Sequence, residues 1–268
     1  MSDPSPLPLV DCHAHVWTHG MPLVNNPRHR PSYEFTTEQY LAELDLHGIR
    51  YGVLAGASIF GTYNDYTIEA VRKHTRLRGT VLLDPSADRQ TMEQMNDAGI
   101  VGVRLPWISL TTIPDIDSEP YRGLLRRIAD LNWHIHLHVG RGRLSSILPH
   151  IEASGVRIVI DHFGNPDPAL GVRSPDFQAT LRSIETGRTW VKLAAGNRVG
   201  RTAAKDYARE LLKSAGPERL VWGSDAPYAG FESDTTYQQT LDDLVDWVPD
   251  PVARHQIGSV TPLELYFQ

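Results

Sequence analysis

The sequence predicts an α/β chain folded as one (β/α)8 TIM barrel, a closed parallel sheet with outer helices that occupies residues 1–268 as a single domain. Three observations carry this. Eight strand-like and eight helix-like stretches alternate along the chain. Its 268 residues are close to the roughly 250 that such a barrel needs. No Gly-rich phosphate turn follows an early strand, as an open doubly wound sheet would usually show.

The first strand is expected over residues 7–16, an apolar, β-branched run behind prolines that discourage a helix. Further strands are expected over residues 50–55, 77–83, 99–105, 133–139, 156–160, 189–193 and 219–222. Amphipathic stretches fill the intervals: residues 36–47, 63–74, 89–98, 119–131, 144–153, 174–186, 202–214 and 234–247. Thr36 and Thr37 precede the first helix, which stops at Gly48, and Asp234 and Thr235 stand where the last needs an N-cap. The longest irregular piece, residues 19–33, carries Arg28, His29 and Arg30. It follows the first strand, so it either covers the active face or is a plain surface excursion. No stretch rich in glycine, serine or proline is long enough to link two domains.

A formal charge of −6 argues against broad nucleic-acid or anionic-membrane binding, and no stretch approaches the roughly 20 apolar residues of a membrane span. The opening residues, Met1 to Pro8, lack the basic and apolar regions of a secretory signal, which makes the cytoplasm the expected location. The single cysteine, Cys12, excludes an internal disulfide; between Asp11 and His13 it should turn to the opposite strand face and serve packing. The apolar end, Leu263 to Gln268, partly resembles a protease-tag remnant and reads equally as a native tail. A homo-oligomer stays open.

Function in such a barrel is carried at the C-terminal ends of the strands. Strand one ends in His13 and His15, which a period of two projects side by side, about 6–7 Å apart at the backbone. That pairing suits a metal ion or an anionic substrate, and it equally suits two hydrogen-bonded core histidines. Strand five places His134, His136 and His138 on one face, with His138 alone in the outer layer. Strand six runs out at His162, and strand eight at Asp225. Each has a bland structural reading; together they point to one site.

His-x-His on strand one, histidines on strands five and six and an aspartate on strand eight resemble the amidohydrolase superfamily over nearly the whole chain. The nearest resemblance is to the branch of 2-pyrone-4,6-dicarboxylate, muconolactone and sugar-lactone hydrolases. It is carried by Asp11-Cys12-His13-Ala14-His15-Val16-Trp17, Gly61-Thr62-Tyr63-Asn64-Asp65, Gly102-Val103-Arg104, Asp161-His162-Phe163-Gly164, Val191-Lys192-Leu193 and Gly223-Ser224-Asp225-Ala226-Pro227. The resemblance implies hydrolysis of a carboxylate-bearing lactone, with Asp225, His162, His13 and His15 as catalytic residues. It also implies a small anionic substrate held by Arg104, Arg198 and Arg141, with Ser58, Thr62, Tyr63, Asn64 and Tyr228 adding hydrogen bonds. Arg28, Arg30 and Arg143 read instead as solvated surface charge.

Arg104 stands where binuclear members carry a bridging Lys or Glu, so two metals are not expected. The pyrone-dicarboxylate hydrolases work without metal and lack a strand-five histidine ligand; this chain has His138. One divalent ion, zinc, held by His13, His15, His138 and Asp225 is therefore expected, with a metal-free mechanism as the alternative. A zinc-dependent decarboxylase of the same superfamily is the competing activity. A non-enzymatic binding protein is the third reading.

Overall fold

The computed structural model describes residues 8–268. Eight strands, β1 (Val10–Ala14), β2 (Tyr51–Ala55), β3 (Leu77–Val81), β4 (Ile100–Leu105), β5 (His134–Leu137), β6 (Arg157–Ile160), β7 (Thr189–Leu193) and β8 (Leu220–Trp222), form one sheet in chain order. Every adjacent pair from β1 to β8 is parallel. The long helices follow the strands: α1 (Thr37–Leu46), α2 (Asp65–Lys73), α3 (Arg89–Ala98), α4 (Glu119–Asp130), α5 (Leu144–Ala153), α6 (Pro175–Glu185), α8 (Arg201–Ala215) and α9 (Tyr237–Trp247). Short α-helices α7 (Gly196–Val199), α10 (Pro251–His255) and α11 (Thr261–Tyr266) are also present, with several single-turn helices in the loops. The (β/α)8 expectation therefore holds. The expected strand start at residue 7, and the segment before it, lie outside the described residues.

The sheet closes just past the short β8. Asp225 N–H donates to the His13 carbonyl at 2.8 Å, and His15 N–H donates to the Ala226 carbonyl at 2.8 Å. Asp11 clasps the same seam. Its carboxylate accepts Ser224 N–H and Oγ–H and the Tyr237 hydroxyl, at 2.9, 2.6 and 2.9 Å. Gly223 is required there, because a Cβ at that position would lie 2.6 Å from the His13 Cβ.

Two apolar layers hold the barrel. Outside the sheet, Leu54, Val103, Ile135 and Ile160 pack against Leu44, Ile128, Ile151 and Phe177 of the helices. Inside it, Val10, Cys12, Val53, Val159 and Val221 form one cluster, and β2 and β6 can meet only across the lumen. Leu265 and Tyr266 of α11 join that cluster and plug the N-terminal end of the barrel; Phe267 stacks near Tyr51, 4.9 Å between rings. The C-terminal tail is thus part of the core.

The structure corrects two local expectations. Cys12 does serve packing, but it faces the lumen as His13 does, because the β1–β2 register shifts between Asp11 and Ala14. Thr36 caps α1 in a reciprocal box with Gln39, as its position suggests. Thr236, however, caps α9 in place of Asp234 or Thr235, its hydroxyl accepting Gln239 N–H at 3.2 Å.

Candidate active site

A cleft opens at the C-terminal ends of the strands, lined by the polar His15, Arg104, His138, His162, Arg198 and Asp225 and the apolar Trp17 and Ile59. His13 sits fully buried beneath. A second lobe shares Arg28, His138, His162 and Arg198 and adds Arg141 and Asn165. Residues far apart in sequence thus converge on one mouth.

His162 and Asp225 reach the mouth through unusual backbone. Their φ angles are +49° and +63°, left-handed values that non-glycine residues seldom adopt. His162 comes two residues after β6 and Asp225 three residues after β8, and both line the cleft. Strain of this kind persists only where neighbours enforce it, and here two instances fall in one cleft.

Asp225 is the hub. Its Oδ2 accepts Arg198 Nε–H at 2.7 Å. Its Oδ1 faces three imidazoles, with Nε2 of His13, His15 and His162 at 3.5, 3.8 and 3.8 Å. Burial would raise its pKa, but Arg198, His162 and His15 outweigh burial and hold it below the ordinary 3.8. The imidazoles shift down as well. Burial pushes His15 to about 4 and lowers His13, His138 and His162 below 6.5. At neutral pH the site therefore presents one carboxylate ringed by neutral imidazoles.

His15 Nδ1–H donates to the Ala55 carbonyl at 2.7 Å, which leaves its Nε2 lone pair turned to His13 Nε2, 3.2 Å away. One layer deeper lies a buried ionic cluster. Arg104 donates to Asp161 Oδ2 through Nη2 at 3.0 Å and Nε at 3.3 Å, and through Nη1 to the Gly56 carbonyl at 2.8 Å. Lys192 Nζ lies 2.9 Å from His136 Nε2 and 3.2 Å from His13 Nδ1, and His136 contacts Asp161 directly. Burial pushes Lys192 down to about 8, although Asp161 opposes it. Burial would raise Asp161, yet His136, His13, Arg104 and Lys192 hold it well below 3.8.

Several expected residues fall elsewhere. Thr62 is exposed, and Tyr63 packs against Trp17, Ile59 and Phe60. Asn64 is bound up in structure: its amide donates to the Thr62 and Leu82 carbonyls at 2.9 and 2.8 Å, and its oxygen accepts Leu82 N–H at 3.1 Å. Tyr228 lines a separate surface hollow with Pro227 and Thr235, because its own φ of +65° turns it from the cleft. None of these four lines the cleft. Arg28, expected as solvated charge, does line it. The first loop does reach the site: Trp17 and Phe35 bridge its neck, and Arg28 and His29 line the cleft.

Sequence reasoning passed over Asp161, Lys192 and His136 as a working group. The available signal was a lysine in the middle of an apolar strand, since an inward-facing ammonium needs buried partners.

Donors for a metal ion are present. His13, His162 and Asp225 bring ligand atoms within 4.8 Å of one another, and His15 Nε2 adjoins them. Three imidazoles and a carboxylate match the chemistry of a zinc site. His138, the expected ligand, fits less well: Arg104 Nη2, which can only donate, lies 3.4 Å from its Nδ1. With Nδ1 accepting and the proton on Nε2, that ring has no lone pair free for an ion, although its ligand atoms also lie near those of Asp161 and His162. His162 is the better fourth donor.

A (β/α)8 barrel with His-x-His on β1, His162 after β6 and Asp225 after β8 defines an amidohydrolase, and this chain belongs to that family: the amidohydrolase family model matches residues 10–268. Within it, the chain is similar to a 4-sulfomuconolactone hydrolase of Hydrogenophaga intermedia, 27% identical over 270 residues covering 96% of this chain and 88% of the relative. It is similar to a 2-pyrone-4,6-dicarboxylate hydrolase of Comamonas testosteroni, 25% identical over 283 residues covering 98% and 91% of the two chains. Among solved structures, it superposes with a TM-score of 0.93 on an Acinetobacter baumannii protein described as a probable 2-pyrone-4,6-dicarboxylic acid hydrolase, determined with citric acid bound; identity is 29%, with 98% and 100% of the chains covered. No helix among the described residues is long and apolar enough to cross a membrane.

Proposed function

We propose that this amidohydrolase opens a small lactone carrying one or more carboxylates, with Asp225 as general base. The observation that carries the reading is the divided carboxylate of Asp225, one oxygen bound by Arg198 and the other facing three imidazoles. Arg198 holds the anion in place and leaves Oδ1 to take a proton. Water attacks the lactone carbonyl carbon and gives one proton to Asp225 Oδ1, while negative charge gathers on the carbonyl oxygen. His162 supplies an N–H donor to that oxygen, with His13 held beneath it. Collapse of the tetrahedral centre breaks the ring C–O bond, and the proton passes from Asp225 to the leaving oxygen. The products are a carboxylic acid and a hydroxyl on one opened chain.

His15 completes the catalytic set by accepting from His13. The substrate's own carboxylate is read by the cationic mouth, lined by Arg198, Arg141 and Arg28, with Ser58 also in the lining. Arg104 has most of its donors engaged by protein and contributes charge rather than a free fork. His13, His15, His162 and Asp225 would hold a divalent ion, zinc by donor type, which when bound would polarise the carbonyl and acidify water. The lactone substrates named for the relatives support the reading, and a reducing location such as the cytoplasm suits the lone buried thiol.

The test is product analysis of purified protein with a pyrone dicarboxylate and a muconolactone. A ring-opened acid with no released carbon dioxide is expected. Carbon dioxide as product would replace the reading with the decarboxylase.

A further inference from the structure

Lys192, next to last in β7, has no exposed surface, and the hydrolytic steps above leave it without a task. An ammonium offers three N–H donors and no lone pair, so its buried neighbours must accept. Three atoms are in range: His136 Nε2 at 2.9 Å, His13 Nδ1 at 3.2 Å and Asp161 Oδ1 at 3.7 Å.

Two of the three are already spoken for. His136 Nε2 also contacts Asp161 Oδ1, and its Nδ1 lies 3.3 Å from the Thr80 hydroxyl. Thr80 can donate to Nδ1, and a proton on Nε2 then points at the carboxylate. That arrangement satisfies the whole His136 ring and removes Nε2 as an acceptor. Asp161 meanwhile accepts from His136 on one oxygen and from both Arg104 nitrogens on the other. His13 Nδ1 is the remaining near acceptor.

We propose that Lys192 is a positioning residue: by donating to His13 Nδ1 it fixes the proton of neutral His13 on Nε2. The rest of the chain of contacts accommodates this proton. His13 Nε2–H meets the His15 Nε2 lone pair at 3.2 Å, and His15 Nδ1–H meets the Ala55 carbonyl at 2.7 Å. Each N–H in the run has an acceptor, and His13 is held against His15 in one tautomer and one orientation. An ion at His13 Nε2 would need the other tautomer, with Nδ1–H on Asp161 Oδ1 at 3.2 Å. Lys192 and a divalent ion therefore compete for one ring. The tautomer is independent of the lactone reading; its effect on turnover rests on it.

The experiment is a two-bond 1H–15N correlation spectrum of metal-free, 15N-histidine-labelled protein, with His13 assigned by its loss in His13→Asn. Wild type is expected to carry the proton on Nε2. In Lys192→Met the proton moves to Nδ1, and kcat falls about 10- to 100-fold with KM held. A wild-type spectrum with Nδ1 protonated overturns the proposal, as does a folded Lys192→Met protein with an unchanged His13 tautomer. Should Lys192→Met not fold, the wild-type spectrum decides alone. Failure of the lactone reading would appear separately, as wild type that does not turn over.

Discussion

Asp225 and Arg198 are hydrogen-bonded as a pair, and in the proposed reaction they divide binding from chemistry. Nε of Arg198 is spent on Asp225, and one Nη on the Ala229 carbonyl at 3.0 Å, which leaves one terminal nitrogen for a substrate anion. Removing the side chain should therefore lose an anion contact and loosen the base together. For Arg198→Ala we expect kcat/KM to fall about 10- to 100-fold, given that hydrogen bonds to charged groups contribute roughly 1.5–3 kcal/mol each. Steady-state kinetics on the ring-opened product measures it; an unchanged KM would place the anion elsewhere. Tyr228→Phe serves as the contrast, since its hydroxyl faces a different hollow, and it should leave kcat/KM unchanged.

The elements show where local pattern was sufficient and where it was not. The amphipathic runs announced α3 and α5 to the residue, because burial on one face and solvent on the other imposes the helical period. The strand-end residues were legible from position alone: side chains at the C-terminal ends of barrel strands meet at the mouth, even though the register shift in β1 breaks the period of two there. What pattern missed depends on contacts distant in sequence. Asn64 looked like a substrate ligand because it lies in a loop after β2, yet it bonds Leu82, eighteen positions on, at the end of β3. Asn64→Ala should cost about 1–3 kcal/mol of stability by stranding buried backbone groups, read as a lower Tm with kinetic constants preserved. The plug formed by α11 was equally hidden, since six residues with a proline give no periodic signal. Tyr266→Ala should cost roughly 3–5 kcal/mol through the cavity left at the barrel floor, measurable by denaturant titration.

At the scale of the molecule, the lumen gathers buried histidines whose pKa values all lie below the ordinary 6.5: His13, His134, His136, His138 and His162, with His15 at about 4. The unfolded chain therefore binds more protons than the folded one between pH 6.5 and 4, so stability must rise with pH across that window. Each unit of depression corresponds to about 1.4 kcal/mol per group. Tm should fall steadily as pH drops from 6.5, well before the carboxylates protonate; a flat Tm down to pH 4.5 would mean these rings are charged in the fold.

The most direct test of the whole account is a paired measurement on Asp225→Asn, which keeps the shape of the hub and removes its basicity. Turnover of the carboxylated lactone should fall about 10²- to 10⁴-fold, while affinity for the ring-opened product, read by calorimetry, stays near wild type. Turnover within a few-fold of wild type in the folded variant would contradict the assignment of Asp225 as the base.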